Sequence, residues 1–136
     1  MAIDSHMHIN NDVCSNVRER IEEVNNDSSI SKVINVGLNV PTSRDSYYIS
    51  FAGRITFKNA KKSIEVLESV PDDLFIVETD SPFIVPEPLK SNGIENNSSS
   101  NLHYIIEKIA EIKGTSPKHI ENITDRNVKR LFKRMN

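Results

Sequence analysis

Two histidines in the stretch "AIDSHMHI" at residues 2–9, His6 and His8, have a type and spacing that could support metal chemistry. In a β-strand, residues i and i+2 point to the same face, so an extended conformation would bring the two imidazoles together. Neutral imidazole is a common nitrogen ligand of metal ions. The pair predicts half of a metal site; the alternatives are a remnant of an affinity tag or an exposed polar strand end.

A second polar group follows the apolar stretch of "LFIVETD" at residues 74–80, where Glu78 and Asp80 end a predicted buried strand. In parallel α/β folds the chemistry lies at the carboxyl ends of the strands. We therefore expect His6, His8 and Asp80 to share one edge of a sheet. Glu78 is predicted on the same strand face as Asp80, either as a partner that supports the site or as part of a structural ion pair.

The elements that must position these residues alternate between strand and helix. Apolar runs predict strands at 2–5, 32–40 and 74–80, and a strand from 47 that breaks at Gly53. Apolar residues at helical spacing predict helices at 15–25, 59–70 and 102–113, a short helix opened by Ser116 and Pro117, and a last helix capped by Thr124. This alternation predicts an α/β fold with about four parallel strands and flanking helices.

Several further residues allow two interpretations. The Ser/Asn-rich loop at 87–101 is either a mobile surface segment or an active-site lid. Arg54 and Lys58 follow a strand end and either meet phosphate or lie on the surface. His103 and His119 are predicted on helices, where we expect ordinary surface or packing roles.

Composition limits the class of protein. The chain has 136 residues, enough for one domain, with 17 basic and 19 acidic side chains, so no overall field favours nucleic acid or membranes. The single cysteine, Cys14, indicates a reducing compartment. No apolar run approaches the ~18 residues of a membrane helix, and the first residues show no signal-peptide pattern. We expect a cytoplasmic protein without a membrane partner.

Four stretches, "DSHMH", "SFAGRITFKNAK", "VETDSPF" and "NLHYIIEKIAEIKG", give a sequence that resembles the TatD family of metal-dependent deoxyribonucleases, which are amidohydrolase-like TIM barrels. The resemblance covers residues 2–40 and 47–134. It implies hydrolysis of phosphodiester bonds in DNA with a divalent metal ion, magnesium, manganese or zinc. It also implies that His6, His8 and Asp80 bind this metal, that Asp80 is catalytic as ligand or base, and that Asn97 supports the site.

The resemblance also predicts that the middle of the barrel is missing. A TIM barrel has eight strands in roughly 250 residues, and only nine residues separate Gly37 from Tyr47, too few for an ordinary crossover. Residues 1–136 are thus predicted to form a single truncated domain, an incomplete (β/α) TIM-type barrel with an internal deletion near 40–47.

The missing strands would carry the family's metal-bridging glutamate and the histidines of a second metal, so we expect impaired activity. The alternatives are a non-catalytic metal-binding remnant and an amide or ester hydrolase of the same superfamily. Open sheet edges would also allow a homo-oligomer.

Overall fold

Within the residues that the structure describes, the regular structure consists of four strands and three helices. The computed structural model describes the backbone of residues 2–7 and 30–35 and the whole of residues 48–132. The strands are β1 (Ala2–Met7), β2 (Ile30–Asn35), β3 (Ile49–Phe51) and β4 (Phe75–Val77), and the helices are α1 (Lys61–Ser69), α2 (Leu102–Lys113) and α3 (Pro117–Leu131). Short 3-10 helices lie at Gly53–Thr56 and Ser99–Asn101. The helix predicted at 15–25 and the junction predicted near 40–47 lie outside the described residues.

Both strand pairs are parallel, which confirms the predicted α/β class. Residues Ala2 and Ile30 are partners in the β1–β2 pair, and Ile49 and Phe75 are partners in the β3–β4 pair. Cα atoms of β1 also come within 8 Å of those of β4. Within the described ranges, strand hydrogen bonds form two separate pairs. A continuous barrel wall stays a prediction.

The core surrounds β4, whose three residues are all buried, as expected of a parallel strand covered on both faces. The Phe75 ring meets Phe51 edge-on, with 5.9 Å between ring centroids. Helices α1, α2 and α3 close over this pair with the buried side chains Leu67, Leu102, Ile105, Ile109, Ile120 and Ile123. Each fully buried Leu or Ile side chain contributes about 1.5–3 kcal/mol, so these helices are fixed by their apolar stripes.

Helices α1 and α2 confirm the sequence prediction. Helix α2 has the predicted ends and finishes at Gly114, which has a left-handed backbone with φ of 65°. The Thr115 amide then donates to the Ala110 carbonyl at 3.0 Å, closing the last turn. None of the helices in the described ranges is long and apolar enough to cross a membrane.

Helix α3 corrects the prediction of two C-terminal helices. It begins as predicted, with Ser116 Oγ accepting from the His119 amide at 3.1 Å and Pro117 in the first turn. It then continues through Thr124, whose hydroxyl donates to the Ile120 carbonyl at 2.9 Å inside the helix. Because Ile123 and Thr124 are buried on the core-facing stripe, continuous packing outweighs the local preference of threonine for a cap.

Strand lengths also differ from the prediction. β1 extends to Met7, so His6 lies within the strand, whereas His8 lies outside the described residues. β3 ends at Phe51, and Gly53 begins a 3-10 helix instead of breaking a longer strand. β4 ends at Val77. The Glu78 amide makes the last hydrogen bond to β3, at 3.1 Å from the Phe51 carbonyl oxygen, and the backbone turns after it. Glu78 and Asp80 therefore follow the strand and do not share a strand face.

Candidate functional site

Asp80 lies in a tight turn just beyond the carboxyl end of β4. Its φ of 56° is in the left-handed region, which aspartate tolerates better than most residues with a side chain. The Phe83 amide donates to the Asp80 carbonyl at 2.8 Å and closes the turn. The half-buried Asp80 thus lies at the carboxyl end of the parallel strands, where the sequence predicted it.

Residues 79–84, here named the Asp80 loop, are held in place by Asn97. The Asn97 side-chain Nδ2 donates to the carbonyls of Thr79 at 2.9 Å and Ile84 at 3.1 Å. The Asn97 main-chain amide donates to the Pro82 carbonyl at 2.8 Å, and Ser81 Oγ donates to the Asn97 carbonyl at 2.9 Å. One residue therefore fixes both ends and the middle of the loop that carries Asp80.

The Asn97 amide is itself fully oriented. It is completely buried, and its Oδ1 accepts from the Ser98 amide at 2.8 Å and from Asn101 Nδ2 at 3.0 Å. Since a buried amide with partners on both atoms has only one satisfactory orientation, its hold on the Asp80 loop is rigid. The predicted loop at 87–101 is accordingly divided: residues 97–99 are buried under the site, and residues 90–96 are exposed.

Gly53 lets the Asp80 loop approach the 3-10 helix that follows β3. A Cβ at Gly53 would lie 2.4 Å from the Ile84 carbonyl oxygen, so no larger residue fits without movement. Nearby, Thr56 Oγ1 donates to the Gly53 carbonyl at 2.6 Å and accepts from the Glu87 amide at 2.8 Å. These contacts hold the segment that follows β3 against the segment that follows β4, and together the two segments form the base of the site.

A cleft of about 460 Å³ lies above this base, between the 3-10 helix and the exposed part of the loop. Its walls include Arg54, Phe57, Ile84, Lys90, Ile94 and Glu95. The Lys90 ammonium lies 4.1 Å from the centre of the Phe57 ring. Sequence reasoning identified Arg54 but missed Phe57, Lys90 and Glu95, because no local pattern indicates which residues an irregular loop brings together.

The carboxylate of Glu87, beside the cleft, is held in position and in its ionised form. The Ser91 amide donates to Glu87 Oε2 at 3.0 Å, and hydrogen bonds from Ser91 lower the pKa of the Glu87 carboxyl. Lys90 and Lys58 add to this effect by their positive charge. Glu87 therefore stays ionised, and it balances part of the positive charge on this side of the molecule.

The remaining predicted residues have separate positions. Glu78 is half-buried directly after β4. His103 and His119 are exposed helix residues, with His103 Nδ1 2.7 Å from the Ser100 carbonyl and His119 Nε2 3.6 Å from Asp72 Oδ2. This agrees with their predicted roles on the helix surface. In the described part of the chain, no three His, Cys, Asp or Glu side chains gather as a metal-binding group.

Comparison with known proteins identifies sequence relatives for most of the chain. The sequence model for TatD-related DNases matches residues 41–133. An uncharacterised metal-dependent hydrolase of Bacillus subtilis (strain 168) is 43% identical over 88 residues, which are 65% of this chain and 33% of that protein. An uncharacterised metal-dependent hydrolase of Escherichia coli (strain K12) is 35% identical over 86 residues, 63% of this chain and 31% of that protein.

A longer alignment joins the chain to an uncharacterised metal-dependent hydrolase of Mycoplasma pneumoniae, 32% identical over 111 residues, 82% of this chain and 39% of that protein. The chain thus spans about a third of the length of the relatives it matches. The crystal structure of a TatD homologue from Escherichia coli K12 superimposes with a TM-score of 0.53 at 20% identity, covering 60% of this chain and 30% of that one. That likeness concerns the fold alone.

Proposed function

Since the chain belongs to the TatD-related DNase family, we propose that it is a metal-dependent hydrolase of phosphodiester bonds in DNA, with His6, His8 and Asp80 as metal ligands. The observation that carries the proposal is the position of Asp80, held at the carboxyl end of β4 by the buried Asn97. The proposed metal is magnesium, manganese or zinc.

The donor set fits such an ion. His6 belongs to β1, whose Cα atoms come within 8 Å of β4, and His8 follows two residues later. Two imidazoles and a carboxylate make three protein ligands, the number found in catalytic sites that keep a position open. When bound, the metal supplies a Lewis acid that polarises the phosphoryl oxygen and acidifies water.

The chain's own residues supply the rest of the chemistry. Asn97 holds the backbone of the Asp80 loop, so the main chain that carries the carboxylate is set in place before substrate binds. Asp80 acts as ligand or as the base that takes the proton of the attacking water at a carboxylate oxygen. Glu78, between Asp80 and the last residue of β4, is proposed to support this carboxylate.

We further propose that residues 1–136 form one truncated barrel domain with an internal deletion near 40–47. β2 and β3 are consecutive strands of the described chain, yet strand hydrogen bonds there join β1 to β2 and β3 to β4. This pairing supports a loss of strands between them. Without the ligands of a second metal, we expect activity at least about 10²–10³-fold below that of a complete family member, the cost of losing even one oxyanion donor.

The strand pairing, which supports a loss of strands between β2 and β3, also favours a second candidate function. This candidate is a non-catalytic remnant that binds metal but hydrolyses no substrate. The two candidates differ in whether bound metal is accompanied by hydrolysis. We also propose a reducing, cytoplasmic compartment for the protein, which the single Cys14 supports.

Release of nucleotides from single-stranded DNA by the purified full chain tests the proposal. We expect slow release that needs added Mn²⁺ or Mg²⁺, stops with chelator, and is lost in Asp80→Asn. Asn tolerates the left-handed backbone at this position as well as Asp does, so this substitution removes the charge but keeps the turn. The matched control is Asp73→Asn, an exposed aspartate in the turn before β4.

The outcomes separate the candidates. Metal binding by calorimetry without release of nucleotides would establish the remnant. Turnover of an amide or ester panel in place of DNA would identify a different hydrolase of the superfamily. DNA turnover that survives both Asp80→Asn and His6→Ala would place the chemistry elsewhere.

A further inference from the structure

Two basic side chains on the walls of the cleft lack the ion pairs that hold most basic residues of the helices. Lys108, Lys113, Lys118 and Lys129 each have a carboxylate oxygen 2.7–3.2 Å away. Arg54 and Lys90 are exposed, and no carboxylate within the described residues pairs with either. Glu87 offsets part of the Lys90 charge without pairing with it, and both basic side chains are available to an anion that enters the cleft.

The rest of the lining adds an apolar surface. Phe57 and Ile84 line the cleft and are partly buried, and Ile94, which also lines it, has 46% of its surface exposed. The volume of about 460 Å³ is within the range of ligand pockets, about 300–1,000 Å³. A ligand with an anionic part and a flat apolar part matches this combination, and a nucleotide with its phosphate and base has both.

The cleft and Asp80 both lie at the carboxyl end of the β3–β4 pair. Phe51 and Val77, the last residues of these strands, are register partners, and Arg54 and Asp80 each lie three residues further on. Ile84 belongs both to the Asp80 loop and to the cleft wall. The contact of Gly53 with Ile84 and the bond from Glu87 to Thr56 keep the two parts at a fixed separation.

We propose that this cleft binds a nucleotide of single-stranded DNA next to the scissile bond, with Arg54 and Lys90 contacting its phosphate. This inference rests on the proposed function, because it takes DNA as the substrate. Arg54 offers a planar fork of donors to phosphate oxygens, and Lys90 offers a point charge. Glu95, on the same wall, carries the opposite charge and weakens the binding of any anion there.

Fluorescence anisotropy of a labelled oligothymidylate with the full chain, in chelator to prevent cleavage, tests the proposal. We expect Arg54→Gln and Lys90→Gln each to weaken binding about three- to tenfold. Each should also reduce the slope of log affinity against log salt by about 0.7, the value for one lost phosphate contact on a single strand. Glu95→Gln should tighten binding by a few-fold.

Lys118→Gln is the matched control, because Lys118 is exposed and lies away from the cleft. It is in the first turn of α3, and its neighbour His119 lies near Asp72, before the start of β4, whereas the cleft lies beyond the carboxyl end of β4. This variant should bind within twofold of the unchanged protein and keep the salt slope. Thermal unfolding of every variant checks that each is folded. A double variant Arg54→Gln/Lys90→Gln that still binds as the unchanged protein does would overturn the proposal.

Parallel cleavage assays with Mn²⁺ separate this inference from the proposed function. If the unchanged protein cleaves DNA while the cleft variants bind and cleave normally, only the cleft assignment is wrong. If binding depends on Arg54 and Lys90 but no DNA is cleaved, the cleft assignment stands and hydrolysis is wrong. If the unchanged protein neither binds nor cleaves DNA, both are wrong.

Discussion

At the scale of single residues, the Asp80 carboxylate depends on a buried amide from a different part of the chain. Asn97 donates to the Thr79 and Ile84 carbonyls, and both Asp80 and Ile84 have left-handed backbones. For a β-branched residue such as Ile84 this conformation is strained, and surrounding contacts must maintain it. Asn97 is therefore a positioning residue for the candidate metal ligand.

Replacing Asn97 should destabilise the fold and loosen the site. Asn97→Ala removes the Nδ2 donor from the Thr79 and Ile84 carbonyls, at about 1–3 kcal/mol each, and Asn97→Asp adds repulsion between oxygens. We expect a loss of about 2–6 kcal/mol in the free energy of unfolding, measured with urea. Variant protein that is still folded should also bind Mn²⁺ more weakly in calorimetry.

Asn101→Ala is the control, because it removes only the bond from Asn101 Nδ2 to Asn97 Oδ1. It should cost about 1 kcal/mol and leave Mn²⁺ affinity unchanged. Equal metal affinity in the Asn97 variants and the unchanged protein would reduce Asn97 to a purely structural role.

Asp72 should make stability depend on pH in acid. Its pKa is lowered from the ordinary value of 3.8, mainly by the hydrogen bond from Lys113 at 3.0 Å. Burial opposes this effect, and the charge of Lys113 and the contact with His119 lower the pKa further. A folded pKa below the unfolded one stabilises the fold above about pH 4, and this stabilisation is lost as pH falls through the folded value.

Because Asp72 is half exposed, with 49% of its side chain accessible, the effect should be no more than about 1 kcal/mol. Asp72→Asn should lower the free energy of unfolding by that amount at pH 7, and the difference should be smaller at about pH 2. Urea unfolding at both pH values measures it, with Asp73→Asn as control. A difference as large at about pH 2 as at pH 7 would mean that something other than the charge is responsible.

At the scale of elements, the cleft depends on how closely the 3-10 helix after β3 approaches the Asp80 loop. Gly53→Ala places a methyl group 2.4 Å from the Ile84 carbonyl, so one of the two segments must move. We expect a loss of about 1–3 kcal/mol in the free energy of unfolding, typical of overpacking, together with weaker oligonucleotide binding in the anisotropy assay.

Gly114→Ala is the control for this prediction. Its Cβ would meet nothing within 4 Å, and only the left-handed backbone makes it costly, by about 1–2 kcal/mol. It should leave oligonucleotide binding unchanged. Binding by Gly53→Ala that equals that of the unchanged protein would show that the approach of the two segments does not shape the cleft.

The elements also show how far sequence can predict this structure. Helix α2 was predicted with both ends, because its apolar stripe and Gly114 are local signals. The cap at Thr124 was predicted wrongly, because a local preference competes there with burial on α3. The clamp from Asn97 to Thr79 joins distant segments, and no periodicity reveals it. The resemblance to a family indicated Asn97, but its four bonds to the Asp80 loop required the structure.

At the scale of the whole molecule, we predict that the strand pairs of the described ranges leave sheet edges that another chain can use. β3 is bonded to β4 on one side, and Ile49 on β3 is 39% exposed. Unpaired strand edges are templates for association. We therefore expect a dimer or larger assembly, with a mass that is a multiple of 15.4 kDa by light scattering.

Ile49→Lys should shift this equilibrium toward monomer, because a charged lysine on an edge strand opposes pairing. Lys61→Glu on α1, an exposed change away from the strand edges, is the control and should leave the mass unchanged. A compact monomer at high concentration, with one sharp melting transition, would contradict the prediction.

The environment of Lys113 has a consequence for chemical labelling. Its ammonium donates to the Val70 carbonyl at 3.0 Å and pairs with Asp72, and only 13% of the side chain is accessible, against 65% for Lys118. An amine-reactive reagent should therefore acylate Lys118 quickly and Lys113 only when the turn at 70–73 leaves the end of α2. The ratio of the two labelling rates, read by mass spectrometry, would report how often that corner opens while the rest of the protein stays folded.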